Sequence, residues 1–407
     1  MMSKSKIDLF YLLFNQLVIL LGTLFFNKAL AFYFDKDTTG SFFYIISIST
    51  FGLLVLSAPF TQIFNRLYNS EEPIDIEVFL TFILIPNLVF FTISLFCASD
   101  WLAYIFIVYL AFTLRDVFLG QIIQMKERKA LFFLNSLGSM SRLVVLALLL
   151  IFFEANLSLI VLSQVLSLFT LIYFSYRYYK SKIGFDWSKF LNFKIVLNKL
   201  DRSFFILSLP IAITSVASWS KDMGVRFLLN HQGDKMLVAD YTFINGLALV
   251  GPTFLQGIIS AYYLPLIYRK EISYKSALLQ VSLILTISTV VGLIVFDFFG
   301  LDIVRILLDS KYVNALDLMP YLLLSNMLFV LAGFSGSYFF LIKKTTFLIL
   351  PSVLFSASLL LSCYYLIPMR GVQGAAYGIL FSTTLNCFVL SLILFATWRR
   401  NFVNCKD

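Results

Sequence analysis

The chain has 407 residues, of which 60% are hydrophobic and 13% charged, and its formal net charge is +9. Soluble domains are about 45–50% apolar and about 25% charged, so this composition excludes a soluble globular protein and predicts a polytopic membrane protein. Four scattered cysteines without a CxxC pair and a single histidine argue against a cysteine metal site, a disulfide framework or a histidine-based triad.

Apolar runs between clusters of charge predict twelve transmembrane helices, because about 20 helical residues cross the hydrocarbon of a bilayer. The first run is too long for the apolar core of a signal peptide, which has roughly 7–15 residues, and is therefore expected to stay as a helix. The predicted spans cover residues 9–34, 41–64, 78–99, 101–123, 131–153, 157–176, 204–229, 238–264, 277–299, 316–341, 347–367 and 372–397.

The two halves of the chain repeat features at corresponding places. Lys28 and Arg226 lie near the outer end of the first helix of each half, and Pro59 and Pro252 lie in the second helix. Six spans per half give both halves the same topology, as in transporters with parallel repeats. We therefore expect an all-α fold of twelve transmembrane helices in two six-helix lobes around a central cavity.

A basic connection divides the halves. The predicted domains are an N-terminal lobe at residues 1–180, a cytoplasmic tether at 181–202 and a C-terminal lobe at 203–407. The tether has aromatic, apolar and basic residues at helical spacing, which predicts an amphipathic segment on the inner leaflet. These residues are Trp187, Phe190, Leu191 and Lys194.

The Lys and Arg residues indicate the orientation. With both termini inside, twenty-one of them lie on the inner side and five on the outer side. Inner loops of membrane proteins carry the excess of positive charge, so both termini are predicted to be cytoplasmic.

The span at 204–229 contains three charged residues, Lys221, Asp222 and Arg226. Each charge left in hydrocarbon costs at least ~2.5 kcal/mol, so the helix either ends near Ser218 or faces a water-filled cavity. The second interpretation is favoured because spans four and five also contain charges, at Arg115, Asp116 and Arg142.

Three of the cations within the spans, Lys28, Arg142 and Arg226, have no carboxylate next to them in the sequence, which indicates a cavity suited to an anion, and Arg in particular suits phosphate. We predict that four of these cations bind substrate: Lys28, Arg142, Lys221 and Arg226. Three residues are predicted to form charge pairs or to couple transport to an ion: Arg115, Asp116 and Asp222. The alternatives are an interfacial Lys28, a structural Arg115–Asp116 pair and a static Lys221–Asp222 pair.

No catalytic or cofactor motif is present: the chain has no nucleotide-binding loop, GxSxG element, HExxH element or long outer loop. The sequence therefore gives no reason to expect an enzyme, a cofactor or a metal site.

Three stretches resemble a known family. They are IVRILLDSKYVNA at residues 303–315, PMRGVQGAA at 368–376 and TGSFFY at 39–44. They are similar to elements of the polysaccharide transporters, Wzx-type O-antigen flippases especially, of the multidrug/oligosaccharidyl-lipid/polysaccharide exporter superfamily. Asp309 and Ser310 stand where that family usually has Gly, and Lys28 stands where it often has Arg.

The resemblance implies a flippase that moves an undecaprenyl-diphosphate-linked O-antigen or capsular repeat unit from the inner to the outer leaflet by ion-coupled alternating access. It implies the bacterial cytoplasmic (inner) membrane as the location. It also implies a lipid-linked oligosaccharide, membrane lipid and glycan polymerase machinery as partners; nucleic acid is not expected. The alternatives are a multidrug or cation antiporter of the same superfamily, which would need in-membrane carboxylates, and a polysaccharide polymerase, which would need a catalytic outer loop.

Overall fold

The structure is a computed structural model that describes residues 4–67, 75–96, 100–125, 127–186, 189–190, 202–232, 234–268, 271–342 and 344–404. In these ranges the chain is helical almost throughout and contains no strand. The helices are α1 (Lys4–Tyr33), α2 (Lys36–Phe51), α3 (Ala58–Leu67), α4 (Ile76–Phe96), α5 (Asp100–Gln124), α6 (Arg128–Phe152), α7 (Leu157–Lys182), α8 (Arg202–Trp219), α9 (Val225–His231), α10 (Lys235–Tyr268), α11 (Tyr274–Leu307), α12 (Met319–Leu341) and α13 (Ile349–Asn404).

Polar residues in the short connections set where helices begin. The Asp35 carboxylate accepts a hydrogen bond from the Thr38 amide at 2.6 Å, and the Asn156 side chain accepts one from the Leu159 amide at 2.9 Å. Ser273 caps α11 in the same way. Each side chain satisfies an amide that has no partner inside the helix, so the cap fixes the start of the helix.

Three long helical stretches change geometry part-way. A π-helical segment, Gly52–Ser57, joins α2 to α3, and a second one, Ser220–Gly224, joins α8 to α9. Within α13, Gly371 has φ 55° and ψ −133°. A side chain would clash in that conformation, so glycine permits the turn that divides α13 into two helices.

The surface of α11 is that of a helix in contact with lipid. Its exposed apolar residues recur at helical spacing: Leu279, Leu283, Ile287, Val290, Ile294 and Phe298. The opposite face, with Val281 and Leu285, is buried. A continuous exposed apolar stripe of this kind would make a soluble protein aggregate, whereas a bilayer covers it.

Nine stretches of the described residues are long and apolar enough to cross a membrane. The longest, Thr346–Trp398, has 53 residues and is the one divided at Gly371. These data establish a helical multi-pass membrane protein. Each of the twelve predicted spans coincides, where it is described, with helical structure, but their count and their arrangement in two lobes stay predictions.

The chain forms two compact units, Met1–Trp219 and Ser220–Asp407. In the first unit, α3, α4, α5 and α7 enclose an apolar core in which the rings of Phe64 and Phe79 stack at 4.1 Å. Helix α8 belongs to this unit, because Trp219 Nε1 donates to the Ser47 carbonyl at 2.8 Å and the Trp219 ring packs on Phe51. The predicted domain boundary differs here, since it places α8 in the C-terminal lobe.

The second unit is built from α10, α11, α12 and α13. Aromatic rings fill its core where α11 meets α12, with Tyr274 packed on Phe334 and Tyr338. The buried Tyr274 hydroxyl donates to the Phe334 carbonyl at 2.9 Å, so its polar end is satisfied within the helix pair.

Three residues in the described part of the predicted tether, Phe185, Lys189 and Phe190, contact the first unit. Phe190 lies against the core of the first unit, and Lys189 Nζ lies 3.3 Å from Asp75 Oδ2. This hydrogen bond and the charge of Asp75 raise the pKa of the Lys189 ammonium group. The buried Glu77 carboxylate accepts from the Asp186 amide at 2.8 Å. Phe190 thus packs on protein, and the placement of the tether on the inner leaflet stays a prediction; Trp187, Leu191 and Lys194 are outside the described residues.

Candidate functional site

The first unit contains a cavity of about 590 Å³, here called the N-terminal cavity. One face each of α1, α5, α6 and α7 lines the cavity. The π-helical segment Gly52–Ser57 and the helix that follows it, α3, complete the wall. Ten of its 20 lining residues are polar or charged, which is unusual for the interior of a membrane protein. Polar groups at membrane depth usually line a water-filled or ligand-filled space.

Arg115 and Asp116 project from α5 into this cavity. Arg115 Nη2 lies 2.7 Å from Asp116 Oδ1, and Arg115 Nε donates to the same oxygen at 2.8 Å. Neighbours on a helix normally point in different directions, so both side chains bend to meet at the cavity wall. Their exposed fractions, 29% and 35%, give the pair access to the cavity. The pair is close to neutral overall.

Arg142 is a second cation in the N-terminal cavity. It lies on the face of α6 that also presents Asn135 and Ser139 to the cavity. Its guanidinium carbon is 3.4 Å from the centre of the Phe26 ring, and Phe26 is fully buried. Among the described side chains no carboxylate lies within ion-pair distance of Arg142, and its buried Nε has no hydrogen-bond partner there. The N-terminal cavity therefore has a net positive charge.

Cation–π stacking explains how Arg142 is held. The electron-rich face of Phe26 attracts the guanidinium, whose central carbon lies 3.4 Å from the centre of the ring. The edge of the guanidinium carries its N–H groups, and one of them, the buried Nε–H, has no hydrogen-bond partner among the described residues. A carboxylate or phosphate oxygen pair fits that edge with two parallel hydrogen bonds.

Close packing of α1 on α6 forms one wall of the cavity. Gly22 faces Ser139, and a β-carbon added at Gly22 would lie only 2.6 Å from the Ser139 β-carbon. A side chain at residue 22 would therefore separate the two helices. Nearby, Asn135 Nδ2 donates to Asn15 Oδ1 at 3.0 Å and links the same pair.

Gly22→Ala is expected to lower the stability of the protein by about 1–3 kcal/mol, the usual cost of overpacking. Adding Ser139→Gly should restore most of the loss, because it removes the atom that the new methyl group meets. Gly257→Ala is the matched control, since an added β-carbon there has nothing within 4 Å. The measurement is thermal unfolding in detergent. Equal unfolding temperatures for Gly22→Ala and wild type would contradict the packing described.

The second unit contains a smaller cavity of about 420 Å³, here called the C-terminal cavity. Lys221 and Arg226 both line it. Lys221 is buried, and its ammonium group lies 3.8 Å from the centre of the Phe329 ring. Arg226 Nη1 donates to the Met223 sulfur at 3.2 Å. The π-helical segment before α9 thus brings two cations to one small space.

The predicted site residues fall into two groups. Arg115, Asp116 and Arg142 share the N-terminal cavity, and Lys221 and Arg226 share the C-terminal cavity. Lys28 is half-buried on α1 and is not among the residues that line the N-terminal cavity. Asp222 lies in the π-helical segment, but its side chain is outside the described part of the structure. The roles of all seven residues stay predictions.

Several amides in the cavities were missed by the sequence analysis. Gln164 and Asn135 line the N-terminal cavity, while Asn245 and Asn326 line the C-terminal cavity and hydrogen-bond to each other at 3.1 Å. A search of the apolar spans for amides as well as charges would have found them, because a buried amide also needs a partner.

Comparison with solved structures identifies the fold. The structure of the lipid II flippase MurJ in an inward closed conformation matches with a TM-score of 0.73 and 14% identity, over 96% of this chain and 87% of that one. An outward-facing multidrug resistance MATE transporter of the MOP superfamily matches with a TM-score of 0.61 and 16% identity, over 95% of each chain. An inward-facing MATE transporter matches with a TM-score of 0.62 and 15% identity, over 94% of each chain.

No protein-family model matches the sequence, and no curated protein sequence does. At such low identities the likeness establishes the fold alone, which is that of MurJ and of the MATE transporters of the MOP superfamily. Membership of the superfamily expected from the sequence, and of the Wzx-type family within it, stays a prediction.

Proposed function

We propose that this protein is a flippase for a lipid-linked oligosaccharide whose head carries a diphosphate. The observation that carries the proposal is the N-terminal cavity, where Arg142 offers hydrogen-bond donors to an anion while Asp116 is engaged by Arg115. A flippase of this kind must carry a doubly charged head across ~30 Å of hydrocarbon, which a bilayer does not permit unaided. A polar, cation-lined cavity supplies the missing environment.

The proposed cargo is an undecaprenyl-diphosphate-linked O-antigen or capsular repeat unit, carried from the inner to the outer leaflet of the bacterial cytoplasmic membrane. Alternating access is supported by the fold, since MATE transporters of that fold have been solved in inward-facing and outward-facing conformations. The fold likeness to the lipid II flippase MurJ supports a lipid-linked cargo. Coupling to an ion gradient and handover to glycan polymerase machinery complete the proposal.

A multidrug or cation antiporter is the second candidate. It is favoured by the fold likeness to multidrug resistance transporters and by the carboxylate of Asp116 in the N-terminal cavity. An organic cation would need that carboxylate free, whereas in this structure Arg115 bonds to it at 2.7 Å. The ion pair therefore favours the flippase.

Reconstitution separates the two candidates. Purified protein in vesicles should move a fluorescent farnesyl-diphosphate-linked oligosaccharide between leaflets, so that an impermeant reductant bleaches the label of both leaflets over time. Protein-free vesicles and vesicles with Arg142→Gln should lose only the label of the outer leaflet. Gradient-driven transport of ethidium without movement of the labelled glycolipid would overturn the flippase and support the antiporter.

A further inference from the structure

Gln164 occupies a fixed position in the wall of the N-terminal cavity. It lies on α7, one turn before Ser167 and Leu168, which line the same cavity. The Asn156 cap fixes the start of α7 two turns earlier. Gln164 is only 5% exposed, and its neighbours Ser163 and Val165 are buried as well. The side chain is thus held by packing and has little freedom to turn away from the cavity.

The Gln164 side chain leaves a hydrogen-bond acceptor unused. Its Oε1 is buried and has no hydrogen-bond partner among the described residues. A buried amide oxygen without a partner destabilises the fold, and an apolar residue of the same size would avoid that cost. Most such groups in native proteins have a partner, so an exception beside a cavity indicates that a ligand supplies it.

The chemistry of a glycolipid decides which part of it can bond to Oε1. An ionised diphosphate offers acceptors only, and an isoprenoid chain offers neither donors nor acceptors. The sugar attached to the diphosphate offers hydroxyl and acetamido N–H donors. The donors of Arg142 in the same cavity complement the diphosphate, so the cavity contains an unused donor and an unused acceptor for adjoining parts of one ligand.

We infer that Gln164 is a specificity-determining residue that accepts a hydrogen bond, through Oε1, from the first sugar of the lipid-linked oligosaccharide. This inference rests on the proposed function, since it assigns one contact of the same cargo. Gln164 recognises the sugar by this hydrogen bond, whereas Arg142 binds the diphosphate. Loss of Gln164 therefore removes the preference for a sugar without removing affinity for the lipid diphosphate.

The test measures binding of two probes to the purified full-length protein, farnesyl diphosphate and the same lipid carrying one N-acetylhexosamine. Wild type should bind the sugar-bearing probe more tightly than farnesyl diphosphate. In Gln164→Met the ratio of the two affinities should fall by about tenfold, which corresponds to the loss of one hydrogen bond. Its affinity for farnesyl diphosphate should be unchanged, which also verifies that the variant is folded. Arg142→Gln should weaken both probes.

Ser175→Ala is the matched control, because Ser175 is a fully buried residue of the same helix whose Oγ also has no hydrogen-bond partner among the described residues. Ser175 does not line the cavity, so its loss should leave the preference intact. A third probe, whose sugar hydroxyls are methylated, shows which donor of the sugar bonds to Gln164. If wild type binds it as tightly as the unmodified sugar-bearing probe, the donor is the acetamido N–H. If wild type binds it only as tightly as the sugar-free lipid, the donor is a hydroxyl.

Two failures are distinguishable. If wild type prefers the sugar and Gln164→Met keeps the full preference, Gln164 does not read the sugar and the inference is overturned while the proposed function stands. Equal affinity of wild type for both lipid probes has the same consequence. If wild type binds neither lipid probe, the proposed function fails and the inference fails with it.

Discussion

Replacing Arg142 by Gln should abolish movement of the lipid-linked oligosaccharide while leaving the amount of protein in the membrane unchanged. The guanidinium is held on Phe26 by stacking and not by a carboxylate, so neutralising it leaves no counter-charge exposed. Hydrogen bonds to a charged group contribute about 1.5–3 kcal/mol, which corresponds to a loss of roughly 10–100-fold in affinity for the diphosphate. Arg142→Lys should retain part of the activity, because an ammonium keeps the charge but lacks the planar fork.

Two quantities are measured: the amount of glycan on the cell surface, and the rate at which the labelled glycolipid exchanges between leaflets in vesicles. Each is divided by the amount of protein in the membrane. Lys28→Gln is the informative comparison, because Lys28 is a half-buried cation that does not line the N-terminal cavity. The sequence analysis predicts a severe loss for Lys28 as well, whereas the cavity geometry predicts a mild one. If abundance falls in parallel with activity in Arg142→Gln, the residue has a structural role instead.

Asp116→Asn should destabilise the protein, because it leaves Arg115 beside Arg142 in one cavity without the carboxylate that now lies 2.7 Å away. Breaking a fully buried ion pair costs about 3–5 kcal/mol; with access to the cavity we expect roughly 2 kcal/mol. The double variant Arg115→Gln/Asp116→Asn removes both charges and should recover most of the stability. A double-mutant cycle on thermal unfolding in detergent measures this coupling.

Transport activity of the same three variants distinguishes a structural pair from an ion-coupling site. A structural pair predicts that the double variant transports nearly as well as wild type. If Asp116→Asn and the double variant are both stable but have lost gradient-driven transport, Asp116 carries a coupling proton or cation. A role of Asp222 in coupling stays a prediction from its position beside Lys221.

Local features of the sequence determined the membrane class and the positions of the helices. Apolar runs are long enough to be recognised without knowledge of their neighbours, and capping residues such as Asp35 and Asn156 act within one turn. The break between the last two predicted spans falls at Gly371, where the backbone has a positive φ. The Arg115–Asp116 ion pair was also predictable, because charged side chains at membrane depth are almost always paired and each of these has an opposite charge within reach.

Only the tertiary structure decided which way each helix faces. In a soluble protein a polar face indicates the outside, but lipid and protein core are both apolar, so a transmembrane helix has little amphipathic pattern from which its rotation can be read. The sequence therefore named Arg142 as a charge in the membrane but not its stacking on Phe26, and a role of Lys28 in substrate binding stays a prediction. Gln164 was overlooked because a single amide in an apolar run becomes informative only when packing shows that its oxygen is buried at the edge of a cavity.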